Sequence, residues 1–399
     1  MTNREARDSR PVAGSPAVRA LYVHIPFCHS ICPFCAFAVH GNREQLHEPF
    51  VQALITEIAA TPAKSDTSGI ASIYIGGGTP STLAAALLGR ILDALARQFS
   101  IAKDVEVAIE VNPEDGKPAY FRELKEIGIT RVSVGVQSFD AATLHALGRR
   151  HTVEQAREAV GAVDQAGFDN VNVDLMFGAP DVPPEAFRRD VRQLAEMHPT
   201  HISLYGLDIE EHTLFGRNPR IRTWAAAHRE EQAAQYLFAA ETLQNAGYSH
   251  YEVSNFCVPG WEGRQNLLVW GGAGYVGFGP GAHSWSGGGR RANVRHLKSY
   301  ERQIGEEGSA ISFQEQITQA QAANERLMLE LRQKSGLDTE AWSQRFGVVW
   351  DEGRQQICSE LAERGLAKWD GASLRLTAKG MLLADEITER LMVDEPSAT

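Results

Sequence analysis

Short apolar segments alternate with longer segments of helical periodicity up to about residue 245. The apolar segments predict buried strands, and apolar residues three or four positions apart between them predict helices. The predicted strands are Leu21–Ile25, Ile70–Ile75, Val105–Val111, Val132–Gln137, Val171–Phe177 and His201–Leu207. The predicted helices are Phe50–Ile58, Leu83–Phe99, Tyr120–Ile127, Val153–Gln165, Pro184–Met197 and His228–Asn245. Six such units are typical of an α/β fold with a parallel sheet, and the periodicity fits an open sheet and a closed barrel equally well.

The pattern changes after residue 247. Tyr, Trp and Phe residues are interleaved with glycines, which disfavours helix and predicts irregular packing across the mouth of the sheet or barrel. Farther on, three helical stretches precede the hairpin signal Asp370-Gly371 and a last helix, Ala378–Leu391, as in a small winged-helix-like α+β module. We therefore predict a loose tail over 1–18, the α/β domain over 19–247, a covering segment over 248–311 and the module over 312–399.

Composition narrows the class of protein. The chain has 399 residues, of which 43% are hydrophobic, so it can bury a sizeable core. Its net charge of −11 argues against a general nucleic-acid binder. No run of about eighteen apolar residues is present, so we expect no integral membrane segment and leave only a peripheral membrane contact open. Five cysteines, three of them in one motif, fit a reducing cytoplasm better than a disulfide framework.

Three cysteines follow the first predicted strand, which Pro26 ends. Cys28, Cys32 and Cys35 form a C-x3-C-x2-C array. Three thiolates can hold three corners of a four-iron cluster and leave the fourth iron open, whereas a closed zinc site normally takes four ligands. The amino-carboxylate end of S-adenosylmethionine suits that open iron. A zinc site and simple packing of buried cysteines are the alternatives. The glycine-rich strand end about one βα unit later favours the cluster.

Polar side chains and glycines also stand at the ends of successive predicted strands. In parallel α/β folds these ends converge on one face, where ligands bind. A carboxylate at this rim can accept hydrogen bonds from an ammonium group or a ribose. The alternative for any single position is a solvated strand end or a helix cap. The positions are the Gly76–Gly78 run, Glu110, Gln137, Asp174 and Tyr205.

From residue 21 to about 391 the chain resembles the oxygen-independent coproporphyrinogen III oxidases and their relatives in the radical S-adenosylmethionine superfamily. The similar segments are Tyr22–Cys28, Gly76–Pro80, Glu110–Pro113, Ser133–Phe139, Asp174–Pro180 and Gly277–Ser284. The resemblance implies a partial (β/α)6 barrel and a [4Fe-4S] cluster held by Cys28, Cys32 and Cys35. It implies that the cluster-bound S-adenosylmethionine lies beside Tyr22, Gly77, Glu110 and Gly206. In the oxidase branch a second S-adenosylmethionine is contacted from positions that match Phe34, Gly78, Thr79, Gln137, Arg149 and Asp174.

Two further positions bear on the branch of this family. The oxidases carry another cysteine two residues after the third, where this chain has Phe37. The segment from Cys32 to Phe37 is instead similar to the HemW branch, the haem chaperones. That branch usually has His-Asn-x-x-Tyr-Trp, proposed to bind haem, and this chain replaces the histidine with Gln265. The resemblance makes Gln265, Asn266 and Trp270 the haem-binding candidates. A carboxamide is a poor iron ligand compared with an imidazole, so another ligand is needed, and the candidates for it are His283, His250 and a cysteine such as Cys257.

The resemblance thus implies a cytoplasmic HemW-like protein that binds a [4Fe-4S] cluster, S-adenosylmethionine and haem. Its expected partners are haem-recipient proteins and a small electron-donor protein. A second hypothesis is a radical enzyme, either a methyltransferase or a haem-modifying relative. A third is coproporphyrinogen oxidase, which Phe37 disfavours.

Overall fold

The structure of the chain, a computed structural model, describes residues 17–62 and 69–394. Its strands are β1 Val18–Ile25, β2 Phe27–Cys28, β3 His40–Gly41, β4 Ile70–Gly77, β5 Ile101–Val111, β6 Arg131–Gln137, β7 Asn170–Phe177, β8 His201–Gly206, β9 Ser249–Glu252, β10 Asn255–Cys257, β11 Gly274–Phe278, β12 His283–Ser286, β13 Gly289–Asn293, β14 Ile311–Gln316, β15 Leu337–Asp338, β16 Ala367–Trp369 and β17 Ser373–Leu376. Most of the predicted tail 1–18 lies outside the described residues, and Val18 already begins β1.

The helices are α1 His47–Ala60, α2 Ala85–Gln98, α3 Pro118–Glu126, α4 Ala141–Ala146, α5 Val153–Gln165, α6 Pro184–Met197, α7 Pro219–Ala227, α8 Arg229–Asn245, α9 Arg264–Trp270, α10 Leu297–Glu307, α11 Gln319–Leu331, α12 Thr339–Phe346, α13 Glu352–Glu363, α14 Ala378–Met381 and α15 Ala384–Leu391. None of the described helices is long and apolar enough to cross a membrane.

Twelve strands form one sheet, in the order β14-β13-β12-β11-β1-β4-β5-β6-β7-β8-β10-β9. The seven neighbours from β11 to β8 run parallel. Antiparallel strands extend both edges, β12 to β14 beside β11 and β10 with β9 beside β8. Each of β1, β4, β5, β6, β7 and β8 is followed by one or two α-helices. The predicted α/β partial barrel of six strand–helix units is therefore confirmed, and β14 and β9 are the outermost strands of an open sheet.

The segment 248–311 is more regular than its composition indicates. It contributes β9 and β10 to one edge of the sheet and β11 to β13 to the other, so the expectation of irregular packing is wrong. A tight turn after β11 explains one of the glycines. Gly279 has φ +96°, and a Cβ there would lie 2.5 Å from the His24 carbonyl oxygen. Glycine therefore lets this turn approach β1 closely. The domain boundaries themselves stay predictions.

The C-terminal residues form the small winged-helix-like module that the sequence predicts. Helices α11 to α15 pack on a three-stranded sheet, in the order β15-β17-β16, around a separate apolar core. Asp370 shapes the predicted hairpin, because its Oδ1 accepts hydrogen bonds from the backbone N–H groups of Ala372 and Ser373. The predicted last helix is divided into α14 and α15.

The two faces of the parallel strands differ in polarity. Val132, Val134 and Val136 of β6 are fully buried in the apolar core that the outer helices cover. Ser133 lies between two of these valines, Gln137 follows the last of them, and both line the inside of the barrel. Successive side chains of a strand point to opposite faces. The inner face is thus free to carry polar groups while the outer face holds the sheet to its helices.

A buried carboxylate joins α1 to the segment that follows β11. Glu57 accepts hydrogen bonds at Oε2 from the backbone N–H of Gly279 at 2.8 Å and from the hydroxyl of Tyr300 at 2.7 Å. Its Oε1 accepts a third bond from Nδ2 of Asn293 at 2.5 Å. Burial raises the pKa of Glu57, and these donors oppose that rise. One side chain therefore satisfies three buried donors from three separate elements.

We expect Glu57→Ala to lower the stability of the protein by about 3 kcal/mol or more, because it leaves three buried donors without an acceptor. The measurement is the urea midpoint followed by circular dichroism. Glu48→Ala on the same helix is the matched control. Its carboxylate is 62% exposed and pairs with Arg90 at the surface, so its removal should cost about 1 kcal/mol or less. Equal midpoints for the two variants would contradict the role of Glu57.

Candidate functional site

The three cysteines of the C-x3-C-x2-C motif border one cavity at the carboxyl ends of the parallel strands. Cys28 lies in β2 and is 7% exposed, while Cys32 and Cys35 are half-buried in the loop that follows. The loop is turned by a hydrogen bond of 3.0 Å from the Cys35 N–H to the Cys32 carbonyl oxygen. Burial raises the pKa of Cys28 to about 11 and also raises that of Cys35. The cavity has a volume of ≈ 320 Å³.

The glycine run at the end of β4 lies directly against this loop. The Gly78 N–H donates to the Ile25 carbonyl oxygen, and the Thr79 N–H donates to the Phe27 carbonyl oxygen, both at 2.7 Å. A Cβ on Gly78 would lie only 2.7 Å from the Phe27 oxygen. A side chain at this position would therefore push the two strand ends apart.

Two carboxylates, from the strands on either side of β6, enter the same cavity. Glu110 of β5 accepts hydrogen bonds from the Tyr74 hydroxyl at 2.8 Å and from the Gly77 N–H at 3.2 Å. Burial, with Asp174 nearby, raises the pKa of Glu110 to about 7, although both hydrogen bonds oppose the rise. Asp174 of β7 accepts from Nδ2 of Asn172 at 2.7 Å and from the Ser133 hydroxyl at 3.1 Å, and burial raises its pKa as well.

Arg149 brings a positive charge to the cysteine loop. Its Nη1 lies 3.4 Å from Sγ of Cys32, and its Nη2 donates to Oδ1 of Asn112 at 2.6 Å. Its charge opposes the burial that raises the pKa of Cys28 and of Cys35. Its Nε and the Oε1 of Gln137 are buried and have no hydrogen-bond partner among the described residues. Gln137 also has φ +66°, where β6 departs from regular pairing with β7.

Most of the predicted site residues converge here. The cavity is lined by Cys28, Cys32, Phe34, Cys35, Gly77, Gly78, Thr79, Glu110, Gln137, Arg149 and Asp174. Tyr22 and Gly206 are not among the lining residues. The Tyr22 ring stacks on Tyr74 behind the cavity, and its hydroxyl meets Nδ1 of His24 at 3.1 Å. Gly206 ends β8 in an exposed position.

The sequence reasoning missed two lining residues that contact the loop or its arginine. Asn112 stands two positions after Glu110, on the same face of the chain, and positions Arg149. The alternation of polar residues in this strand could have revealed it. Arg150 donates to the His29 carbonyl oxygen at 3.3 Å, and this contact joins residues too far apart in sequence to be inferred from a pattern.

The predicted haem residues do not converge with the cysteines, and His283 lies on a different element from the other three. Gln265 and Asn266 begin α9 and line a separate cavity of ≈ 40 Å³, near the amino ends of β6 and β8. Gln265 is only 9% exposed, and its Oε1 has no partner among the described residues. A cavity of this size holds one to a few water molecules, not a macrocycle. Trp270 ends α9, and His283 begins β12 as an exposed side chain near the other edge of the sheet.

Comparison with known proteins identifies the family. A family model described as the radical SAM superfamily matches residues 22–194, and one described as the HemN C-terminal domain matches residues 317–383. The heme chaperone HemW of Lactococcus lactis subsp. lactis (strain IL1403) is 33% identical over 380 residues, which cover 94% of this chain and 97% of that protein. The chain belongs to the HemW family.

Other HemW family proteins and one solved structure agree with this assignment. The heme chaperone HemW of Mycobacterium tuberculosis (strain ATCC 25618 / H37Rv) is 33% identical, with 96% of each protein covered. Coproporphyrinogen III oxidase (HemN) from Escherichia coli, whose structure is described as that of a radical SAM enzyme, superposes with a TM-score of 0.79. It is 25% identical, and the match covers 96% of this chain and 92% of the oxidase.

The residues of this HemW family member fit the cluster and cofactor that its superfamily implies. No three His, Cys, Asp or Glu side chains of the described residues are arranged to hold a single metal ion. A four-iron cluster spreads its thiolate ligands over separate irons, which suits three cysteines around a cavity. The bare backbone at Gly77 and Gly78 admits a ligand to the main chain, and the unpartnered Oε1 of Gln137 can accept a hydrogen bond from one.

Gly78→Ala tests the contact between the glycine run and the cysteine loop. The added Cβ overpacks a backbone-to-backbone contact, which costs about 1–3 kcal/mol, and we expect less iron and sulfide per chain after anaerobic reconstitution. Gly161→Ala on α5 is the control, because its Cβ meets nothing within 4 Å and alanine favours helix. Full iron retention in Gly78→Ala would contradict the close approach.

Glu110→Gln should alter the pH dependence of the stability of the cluster-free protein. Burial raises the pKa of Glu110 from its ordinary 4.5 to about 7. Between these values the unfolded chain releases a proton that the folded chain retains. The stability contributed by this group is therefore fully present below pH 4.5 and is lost as the pH rises through about 7.

Glu110→Gln has no such loss. Between about pH 5 and about pH 8, its urea midpoint should therefore rise relative to that of the wild type. The measurement is the slope of this midpoint difference against pH. Its absolute value is not used, because the amide also changes the hydrogen bonds of residue 110. Glu48→Gln, on the exposed face of α1, is the control. A difference that stays constant over this range would mean that Glu110 is ionised throughout.

Proposed function

We propose that the chain is a haem-binding protein that holds a [4Fe-4S] cluster and S-adenosylmethionine in its barrel cavity and passes haem to recipient proteins. The observation that carries this proposal is the convergence of the three thiols with Glu110 and the glycine run in one cavity, in a chain of the HemW family. The relatives are named heme chaperones, which supports haem as the cargo.

In this proposal, different residues of the cavity bind the cluster and S-adenosylmethionine. Cys28, Cys32 and Cys35 hold the cluster, and Arg149 balances the negative charge of their thiolates. Glu110 and the Gly77 backbone, already hydrogen-bonded to each other at 3.2 Å, receive polar groups of S-adenosylmethionine. When bound, the cluster supplies one electron at a time to the cofactor beside it. A small electron-donor protein would restore that electron.

The haem is held elsewhere in this proposal. The cavity beside Gln265 is too small for a macrocycle, and the substitution of glutamine for the usual histidine removes a strong iron ligand. These two facts support a haem site outside the segment from Gln265 to Trp270. The recipient proteins are proposed only as a class.

Coproporphyrinogen oxidase is the second candidate function, favoured by the superposition on HemN. Against it stands Phe37, which lines the rim of the cavity where the oxidases carry a further cysteine. Its side chain is 68% exposed, so the position is open to a ligand but offers no thiol. The two functions differ in whether a porphyrinogen is consumed or haem is bound unchanged.

We expect the reconstituted protein to bind haem with a saturable Soret shift, and to release it to a haem-free globin used as acceptor. Adding S-adenosylmethionine should perturb the paramagnetic spectrum of the reduced cluster. Cys32→Ala should lose the cluster, whereas Cys358→Ala, buried in the C-terminal core, should keep it. Gln265→His should leave haem affinity unchanged, because its side chain faces a cavity of ≈ 40 Å³.

Two outcomes would contradict the proposal. Consumption of coproporphyrinogen together with release of 5′-deoxyadenosine would identify an oxidase. A wild-type protein with no saturable Soret shift would exclude haem binding, and a shift that appears only in Gln265→His would restore α9 as the haem site of the family.

A further inference from the structure

The proposed function needs an iron ligand, and six of the thirteen histidines are unable to serve. All thirteen lie within the described residues. Five of them are buried and cannot reach a haem outside the fold: His24, His47, His151, His201 and His250. His29 is engaged at both ring nitrogens, by Asp115 at 2.8 Å and by Asn42 at 3.5 Å.

His40 has the geometry of an iron ligand. Its Nδ1 lies 2.7 Å from the Gly41 carbonyl oxygen. A carbonyl oxygen only accepts hydrogen bonds, so Nδ1 carries the proton and the neutral ring presents its lone pair at Nε2. No described residue forms a hydrogen bond with Nε2. Iron-binding histidines are commonly oriented in this way, by a hydrogen bond from the other ring nitrogen to a carbonyl group.

The surface around His40 suits a haem. Phe37, three residues earlier, is 68% exposed, and a hydrogen bond of 3.0 Å from the Val39 N–H to the Phe37 carbonyl oxygen folds the chain between them. Arg295 is exposed and is fixed by a bond of 2.7 Å from its Nη2 to the Ala36 carbonyl oxygen. Glu301 of α10 is the acidic neighbour, and burial raises the pKa of its carboxyl group.

We propose that Nε2 of His40 coordinates the haem iron, with the Phe37 ring against the macrocycle and the Arg295 guanidinium beside the propionates. This assignment rests on the proposed function and names its haem-binding residues. Coordination here means donation of the Nε2 lone pair to iron, with no change of oxidation state and no proton released. The open surface leaves the other axial position of the iron to a recipient protein.

The same segment connects this haem site to the cluster. His40 lies in β3, which pairs with β2, and its backbone N–H donates to the Pro26 carbonyl oxygen at 2.6 Å. The Asn42 N–H donates to the carbonyl oxygen of Cys28, one of the cluster cysteines, at 2.8 Å. We therefore expect cluster binding to stabilise the strand that carries the proposed iron ligand. Haem affinity should fall when the cluster is removed.

The test is a haem titration of the reconstituted protein, read at the Soret band. We expect His40→Gly to weaken haem binding by about tenfold or more, and added imidazole to restore the wild-type spectrum in that variant. His228→Ala is the matched control, because its Nδ1 is likewise anchored, 2.7 Å from the Trp224 carbonyl oxygen, but it lies between α7 and α8. His283→Ala controls for an exposed histidine.

The results of this titration distinguish a failure of the His40 assignment from a failure of the proposed function. Iron content and circular dichroism first establish that His40→Gly is folded and keeps its cluster, and His40→Gln provides a second variant should glycine fail. Haem binding that is unchanged in both, or lost instead in His228→Ala or His283→Ala, would overturn His40 while leaving the haem function intact. Absence of haem binding in the wild type would overturn both.

Discussion

Two backbone hydrogen bonds, from Gly78 to Ile25 and from Thr79 to Phe27, are the contact on which the candidate site depends. They join the end of β4 to the end of β1 and to β2. The cysteine loop is thereby held beside the main chain of the glycine run. A Cβ at Gly78 would lie 2.7 Å from the Phe27 oxygen, so the contact exists only with glycine. From the same strand end, the Gly77 N–H reaches Glu110, and so this one junction positions both the thiols and the carboxylate.

The strand ends were predictable from sequence, because buried parallel strands are continuous apolar runs and their carboxyl ends meet. From the sequence alone, that argument predicts that Glu110, Gln137 and Asp174 lie together. It failed for 248–311, where tight turns made by glycines such as Gly279 separate short strands that pair at both edges of the sheet. Pairing of β11 with β1 places Gly274 beside Val18, and no local sequence pattern encodes a contact between residues so far apart in the chain.

The buried position of the Gln265 side chain could not be predicted from the sequence either. Its motif indicated a surface for haem, but α9 lies against β1 and β4 and turns this side chain inward. The inner faces of β6, β7 and β8 are polar along their length, through residues such as Ser133, Asn172 and His201, so a buried glutamine meets other polar groups there. Each group needs a partner, because an unsatisfied polar atom in the interior is costly. Among the described residues that line this small cavity, the buried oxygens of Gln265 and Asn255 have no partner, and a water molecule there would complete the network.

This polar interior also relates the two ends of the barrel. Asp174, in the cysteine cavity, accepts from Asn172, whose Oδ1 meets Nδ1 of His201 at 2.6 Å. The other ring nitrogen of His201 meets the Tyr251 hydroxyl at 2.8 Å, and that hydroxyl accepts from the Gly263 N–H just before α9. This chain of hydrogen bonds is one connection between α9 and the cysteine cavity, and the packing of α9 against β1 and β4 is another. The strand that carries His40 needs no such chain, since it pairs directly with the strand that carries Cys28.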